Sequence, residues 1–132
     1  MTKLENKKIM KRIIFDVDGT LTITNPSLDY LQVEPNWEIV EKLKQYKEAG
    51  YEIVLFTSRN MRTYNCNVGK INANTLPKLI NWLHKHSIPY DEIFVGKPWC
   101  GTDGFYVDDK AIRPSEFLKL EEEEIQSIVK NK

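Results

Sequence analysis

Cysteine and histidine are scarce, with two of each in the chain. Cys66 and Cys100 cannot build a disulfide framework, and neither stands at metal-ligand spacing from a histidine or from the other. That argues for a reduced, cytoplasmic setting and against a zinc site. Charge of one sign is missing too: Lys plus Arg and Asp plus Glu each number 19. A balanced chain lacks the basic face that nonspecific nucleic-acid binding needs, so no nucleic-acid partner is expected. No apolar run approaches the ~20 residues that cross a bilayer, so no membrane partner is expected either. The basic start, MTKLENKKIMKR, has no apolar core of the secretory kind. There is no internal repeat and no linker. At 41% hydrophobic and 29% charged residues, one globular domain over 1–132 is the expectation.

Within it, residues 1–10 read as a polar lead-in. Arg12–Phe15 is an apolar strand that runs into Asp16-Val17-Asp18-Gly19-Thr20. Residues 22–35 have two prolines and no helical period, and read as a flap. A helix begins after Asn36, with Glu38 in its first turn, and ends at Gly50. Its apolar positions are Ile39, Leu43 and Tyr46, with Trp37 and Val40 widening the buried face. Residues 51–56 make a second strand, and 58–73 a long polar loop. Another helix starts near Asn74 or Thr75, with the stripe Leu76, Leu79, Ile80, Leu83. His84 and His86 read as surface or helix-end residues. Residues 92–95 and 105–107 are short strands. A last helix capped by Ser115 turns Leu118, Ile125 and Ile128/Val129 inward, with Glu121–Glu124 as a solvated face. The alternation predicts a parallel α/β sheet. Only nine residues, 96–104, join the last two strands, which is taut for a parallel crossover.

Strand alternation puts Asp16 and Asp18 on one side at a strand's C-terminal end, where such sheets bind ligands. Two carboxylates so close call for a cation or a proton. Thr57, Lys97 and the pair Asp108-Asp109 also stand at strand ends, so all can converge on one sheet edge. Four carboxylates form a hard oxygen site that suits Mg²⁺ rather than zinc. Lys97 and the Thr57 hydroxyl suit a phosphate held against that metal.

DVDGT resembles the nucleophile motif of the haloacid dehalogenase (HAD) superfamily, and Thr57, Lys97 and Asp108-Asp109 match its other three motifs in order. TSRNMRTYNCNVGKINANTLP and GKPWCGTDGFYVDDKAIRPSEF further resemble a small HAD phosphatase family associated with capsule biosynthesis. The resemblance implies a Rossmann-like, HAD-like sheet with flanking helices. The 22–35 flap stands in place of a cap domain. It implies Asp16 as nucleophile and Asp18 as acid and base, with Thr57 and Lys97 on the phosphate. Asp16, Asp18, Asp108 and Asp109 would hold Mg²⁺. Gly19 lets the backbone approach phosphate, and Thr20 adds a hydroxyl. Ser58, Arg59, Arg62, Tyr64, Asn67 and Lys70 are the candidates for selecting the substrate, with Trp99 and Cys100 at the same mouth. No histidine is placed to activate Cys100 as a nucleophile.

The expected activity is hydrolysis of a small phosphorylated metabolite, a sugar or polyol phosphate of surface-polysaccharide synthesis. Two alternatives stand beside it. One is a phosphatase of a macromolecular phosphate, either a nucleic-acid end or a phosphoprotein. The other is a non-enzymatic signalling module that accepts phosphate on an aspartate. A capless site also leaves room for a pocket completed in a homo-oligomer.

Overall fold

The computed structural model describes residues 10–25 and 27–130; nearly all of the predicted lead-in, and Pro26 of the flap, lie outside them. Among the described residues three strands form one parallel sheet in the order β1 (Arg12–Phe15), β2 (Glu52–Phe56), β3 (Glu92–Phe94). Ile14 pairs with Val54, and Phe56 with Phe94. The strands are joined by α1 (Trp37–Glu48) and by α2 (Val68–Asn74) running into α3 (Leu76–Lys85); α4 (Pro114–Lys119) and α5 (Glu122–Lys130) follow β3. The fold is α/β, as the alternation of elements requires.

Strands taken in sequence order, each by a right-handed crossover, put α1 and α3 on the same face of the sheet. Ile13, Phe15, Ile53, Leu55 and Ile93 point to that face and join Ile39, Leu43, Leu79, Trp82 and Leu83 in the core. The opposite face carries Ile14 and Phe94, which are 60% and 52% exposed. Parallel sheets normally have both faces covered. Among the described residues this one is left partly open on that second face, where Val54, the partner of Ile14, is nonetheless 2% exposed.

Asn36 precedes α1 and Ala49-Gly50 closes it, so the helix spans the predicted stretch. Trp37 does not widen the buried face. It stays 44% exposed and sets its ring edge against His86, at 5.9 Å. Tyr46 stacks on Phe117, but its buried hydroxyl has no hydrogen-bond partner. Burial pushes that phenol up, helped by Glu122. Tyr46→Phe removes the orphaned group and keeps the ring. It is expected to stabilise the fold by about 1 kcal/mol, read as a higher urea midpoint with an unchanged slope.

Three expectations need correction. The polar 58–73 segment is not all loop, since Val68–Asn74 is helical. The Asn67 side-chain oxygen accepts from the Lys70 backbone N–H, at 3.0 Å, and Ile71 is wholly buried. One good cap and one core residue suffice where α3 continues the run. The single last helix is two. Leu120 is extended, and Lys42 of α1 donates to the carbonyls of Leu118 and Leu120, closing α4. Glu116, rather than Ser115, secures the start of α4 by accepting from the Arg113 N–H. Glu122–Glu124 open α5, where acidic side chains oppose the positive end of the helix dipole. Ile125 packs on the core while Ile128 stays 42% exposed. Finally, Phe105–Val107 join no strand among the described residues.

The flap is anchored at its base. Thr22 bridges Pro35, the Ile23 N–H reaches Glu34 O at 2.9 Å, and Trp82 Nε1 donates to Val33 O at 3.0 Å. Asp91 ties β3 to its neighbour by accepting from the Ile53 N–H and from Lys47, and those donors hold its carboxyl below the usual range. Among the described residues no helix is long and apolar enough to cross a membrane.

Candidate active site

The three strands end side by side, and Asp16, Asp18, Thr57 and Lys97 stand at those ends. After Phe15 the chain turns on Val17 O, which accepts from the Thr20, Leu21 and Thr22 N–H groups. Gly19 sits in that turn at φ +84°, a left-handed conformation that a side chain would strain. The turn aims Asp16 and Asp18 outward, each with about a third of its side chain exposed. The Thr20 hydroxyl donates to Asp16 Oδ2 at 3.3 Å. It therefore orients the carboxylate.

Lys97 comes from beyond β3 and places Nζ 3.4 Å from Asp16 Oδ1. Its N–H is fixed to Thr57 O, and the Thr57 N–H to Phe94 O. Thr57 is buried, and its hydroxyl accepts from the Arg59 N–H at 3.0 Å, which leaves its proton to donate. Thus Asp16, Thr57 and Lys97 converge, as the strand-end argument required.

Arg59 takes a place the sequence did not suggest. It is 3% exposed and grips Asp18 with both arms of its fork, Nε to Oδ2 at 3.1 Å and Nη2 to Oδ1 at 2.7 Å. The Tyr30 ring, from the flap, lies 4.2 Å from the guanidinium carbon. The third nitrogen, Nη1, is buried without a partner. The one signal in the sequence was indirect: Arg59 is the first cation past β2, whose neighbour in the sheet is β1.

The other candidates divide. Arg62 stacks over Trp99 at 5.4 Å, and the two line a hollow of about 460 Å³ with Met61, Asn65, Cys66 and Pro98. Asn67 is occupied in capping α2, and Lys70 is exposed on that helix. Ser58 and Tyr64 are half-buried in the turns between, with the Tyr64 N–H on Asn60 O. A second hollow, of about 320 Å³, lies under the flap between Asp18, Thr24, Leu28 and Tyr30. Asp108 and Asp109 are exposed, and Asp108 accepts from the Lys110 N–H. Among the described residues no three His, Cys, Asp or Glu side chains stand close enough to hold a metal ion. The predicted four-carboxylate cluster does not assemble within one chain. Tyr106 comes near instead, with its ring 4.5 Å from Lys97 Nζ and its hydroxyl on Pro98 O.

The chain is similar to a crystal structure of a target protein from Vibrio cholerae. Identity is 57%, the match covers 92% of this chain and 98% of that one, and the TM-score is 0.88. The two chains belong to one family. The Vibrio cholerae relative extends over almost the same length. Chains from two structures of a Pnkp1/Rnl/Hen1 complex, one described as an RNA repair complex, overlap at 23% identity with TM-scores of 0.47 and 0.49. They match 65% and 83% of this chain and 26% and 34% of their own length. That likeness is too distant to argue from. No protein-family model matches the chain, nor does any curated protein.

Proposed function

We propose that this protein is a Mg²⁺-dependent phosphomonoesterase of the HAD kind that forms an aspartyl-phosphate on Asp16. The observation that carries the reading is the meeting of Lys97 and Asp16, 81 residues apart, over the buried Thr57. A carboxylate, an ammonium and a hydroxyl proton around one opening are the parts needed to hold a phosphate against a nucleophile.

In the first step an Asp16 oxygen attacks phosphorus, the bond to the substrate's ester oxygen breaks, and Asp18 gives that oxygen a proton. In the second, water attacks the same phosphorus and passes its proton to Asp18, releasing phosphate and restoring Asp16. Thr57 and Lys97 bind the oxygens on which charge builds. Both Asp18 oxygens lie in the Arg59 fork. Arg59 must swing off before Asp18 can move a proton, and the arriving phosphate is its natural alternative partner.

The donor set fits magnesium. Mg²⁺ is usually held by one or two carboxylates plus water and substrate phosphate, and among the described residues Asp16 is engaged by long contacts of 3.3 and 3.4 Å. Asp16 and the Asp18 main-chain carbonyl would hold it, and its charge would offset that of the phosphate. The substrate reading, a sugar or polyol phosphate of capsule synthesis, rests on the sequence resemblance. The Trp99 and Arg62 hollow, lined by the two residues that follow Lys97 in the chain, is the candidate place for such a leaving group.

The test is hydrolysis of an aryl phosphate. Turnover should vanish with EDTA, return with added Mg²⁺, and leave the melting curve of the protein in place. Activity that survives EDTA would refute the metal assignment.

A further inference from the structure

Two features of the fold are each incomplete in a way the other would mend. The outer edge of β1 has no neighbour among the described residues, although β1 carries the nucleophile. Phe105, Tyr106 and Val107 read as a strand, yet they lie 79%, 51% and 89% exposed. Large apolar side chains this open, in a row, mark a surface made to be covered.

The chain's own β1 is out of reach. Gly104 packs against Cys100 so closely that a Cβ there would lie 2.0 Å from the Cys100 carbonyl oxygen. That turn takes residues 100–104 out of the span. Residues 96–99 remain, and they bridge at most ~18 Å from Val95 to Cys100. A parallel strand beyond β1 lies three strand spacings away, ~14 Å sideways, and begins ~10 Å back along the sheet. The connection must also rise over a face of the sheet. The straight line alone is ~17 Å, so four residues leave no length for that rise.

The geometry points to a second copy of this chain as the occupant. Phe105–Val107 of one copy adds in parallel to the β1 edge of the other, in a closed exchange. Set beside Ile13–Phe15, the segment puts Phe105 and Val107 on the face of Ile13 and Phe15 and Tyr106 beside Ile14. The next residues, Asp108 and Asp109, then arrive level with Asp16 of the receiving copy. The acidic cluster that one chain does not assemble is completed between two. The strand pairing rests on the fold alone. Its catalytic consequence rests on the phosphatase reading, so the two are tested separately.

For the pairing, Ile14→Cys and Tyr106→Cys are made on separate chains in a Cys66→Ser, Cys100→Ser background. The two are refolded together with a short bis-maleimide. A cross-linked pair that needs both chains is expected, and light scattering should give a dimer or larger closed assembly. Phe105→Asp with Val107→Asp should yield a folded monomer, since both positions are open in the single chain. A monomeric parent protein, or a cross-link formed only within a chain carrying both cysteines, overturns the exchange.

For the site, Asp16→Asn is refolded with Asp108→Asn/Asp109→Asn, each inactive alone. Random pairing should restore about one quarter of the parent turnover in a dimer, because one site in four joins an intact Asp16 to intact donors. No restoration from an active parent overturns the shared site. A parent without phosphatase activity refutes the functional reading instead, and the cross-link still decides the exchange.

Discussion

Asp16→Asn is expected to lower turnover of any phosphate ester by about 10⁴-fold or more, with the fold intact. Asparagine matches aspartate in shape, so its carbonyl can still accept from Thr20, and the turn on Val17 O is untouched. What disappears is the oxygen that bonds phosphorus. The Lys97 contact that is lost is long, at 3.4 Å, and about a third of the Asp16 side chain is exposed, so stability should hardly change. The fall should appear in kcat, and acid quenching should trap no phosphoenzyme. Asp16→Asn that keeps a measurable fraction of the parent rate would move the nucleophile elsewhere.

Trp82→Ala should produce the largest loss of stability, about 3–5 kcal/mol. Trp82 is 1% exposed between the α1 and α3 side chains and is the largest fully buried residue. A loss of that size is a large part of the 5–15 kcal/mol that usually holds a domain together. Its indole N–H also holds Val33 O, so the base of the flap loosens with the core. Trp82→Phe separates the two effects. It keeps much of the volume and drops the hydrogen bond, and about 1–2 kcal/mol is expected, with faster proteolysis of residues 22–35. Urea unfolding of both variants gives the difference. Equal losses would place the whole effect in the indole N–H, and no loss in Trp82→Phe would mean that the N–H adds nothing at the flap.

What could be read from the sequence was local or periodic. The apolar run before Asp16 and the 3.6-residue spacing of Ile39, Leu43 and Tyr46 each carry their own signal. Strand ends of a parallel sheet share an edge, so the convergence of Asp16, Thr57 and Lys97 followed. The α2 helix is only about two turns, with a single buried residue, Ile71, and gives no period to see. The break at Leu120 depends on Lys42, a residue far along the chain. Arg59 read as a loop cation because nothing local tells that its neighbour in space is Asp18. Residues 105–107 have the sequence of a strand, but whether a strand pairs is set by reach, and the Cys100–Gly104 turn shortens that reach. Local pattern names an element, and tertiary distance decides its partner.

The Arg59 fork has a consequence for selectivity. The guanidinium touches the flap through Tyr30 and the carboxylate of Asp18, so on the proposed mechanism one side chain would report the position of the flap to the acid. A ligand that lifts Tyr30 without offering an anion leaves Asp18 clasped. An anion too bulky to pass the flap never meets the guanidinium. On the proposed mechanism only a molecule that does both would free the acid, and the site would check shape and charge in a single event before any bond is broken.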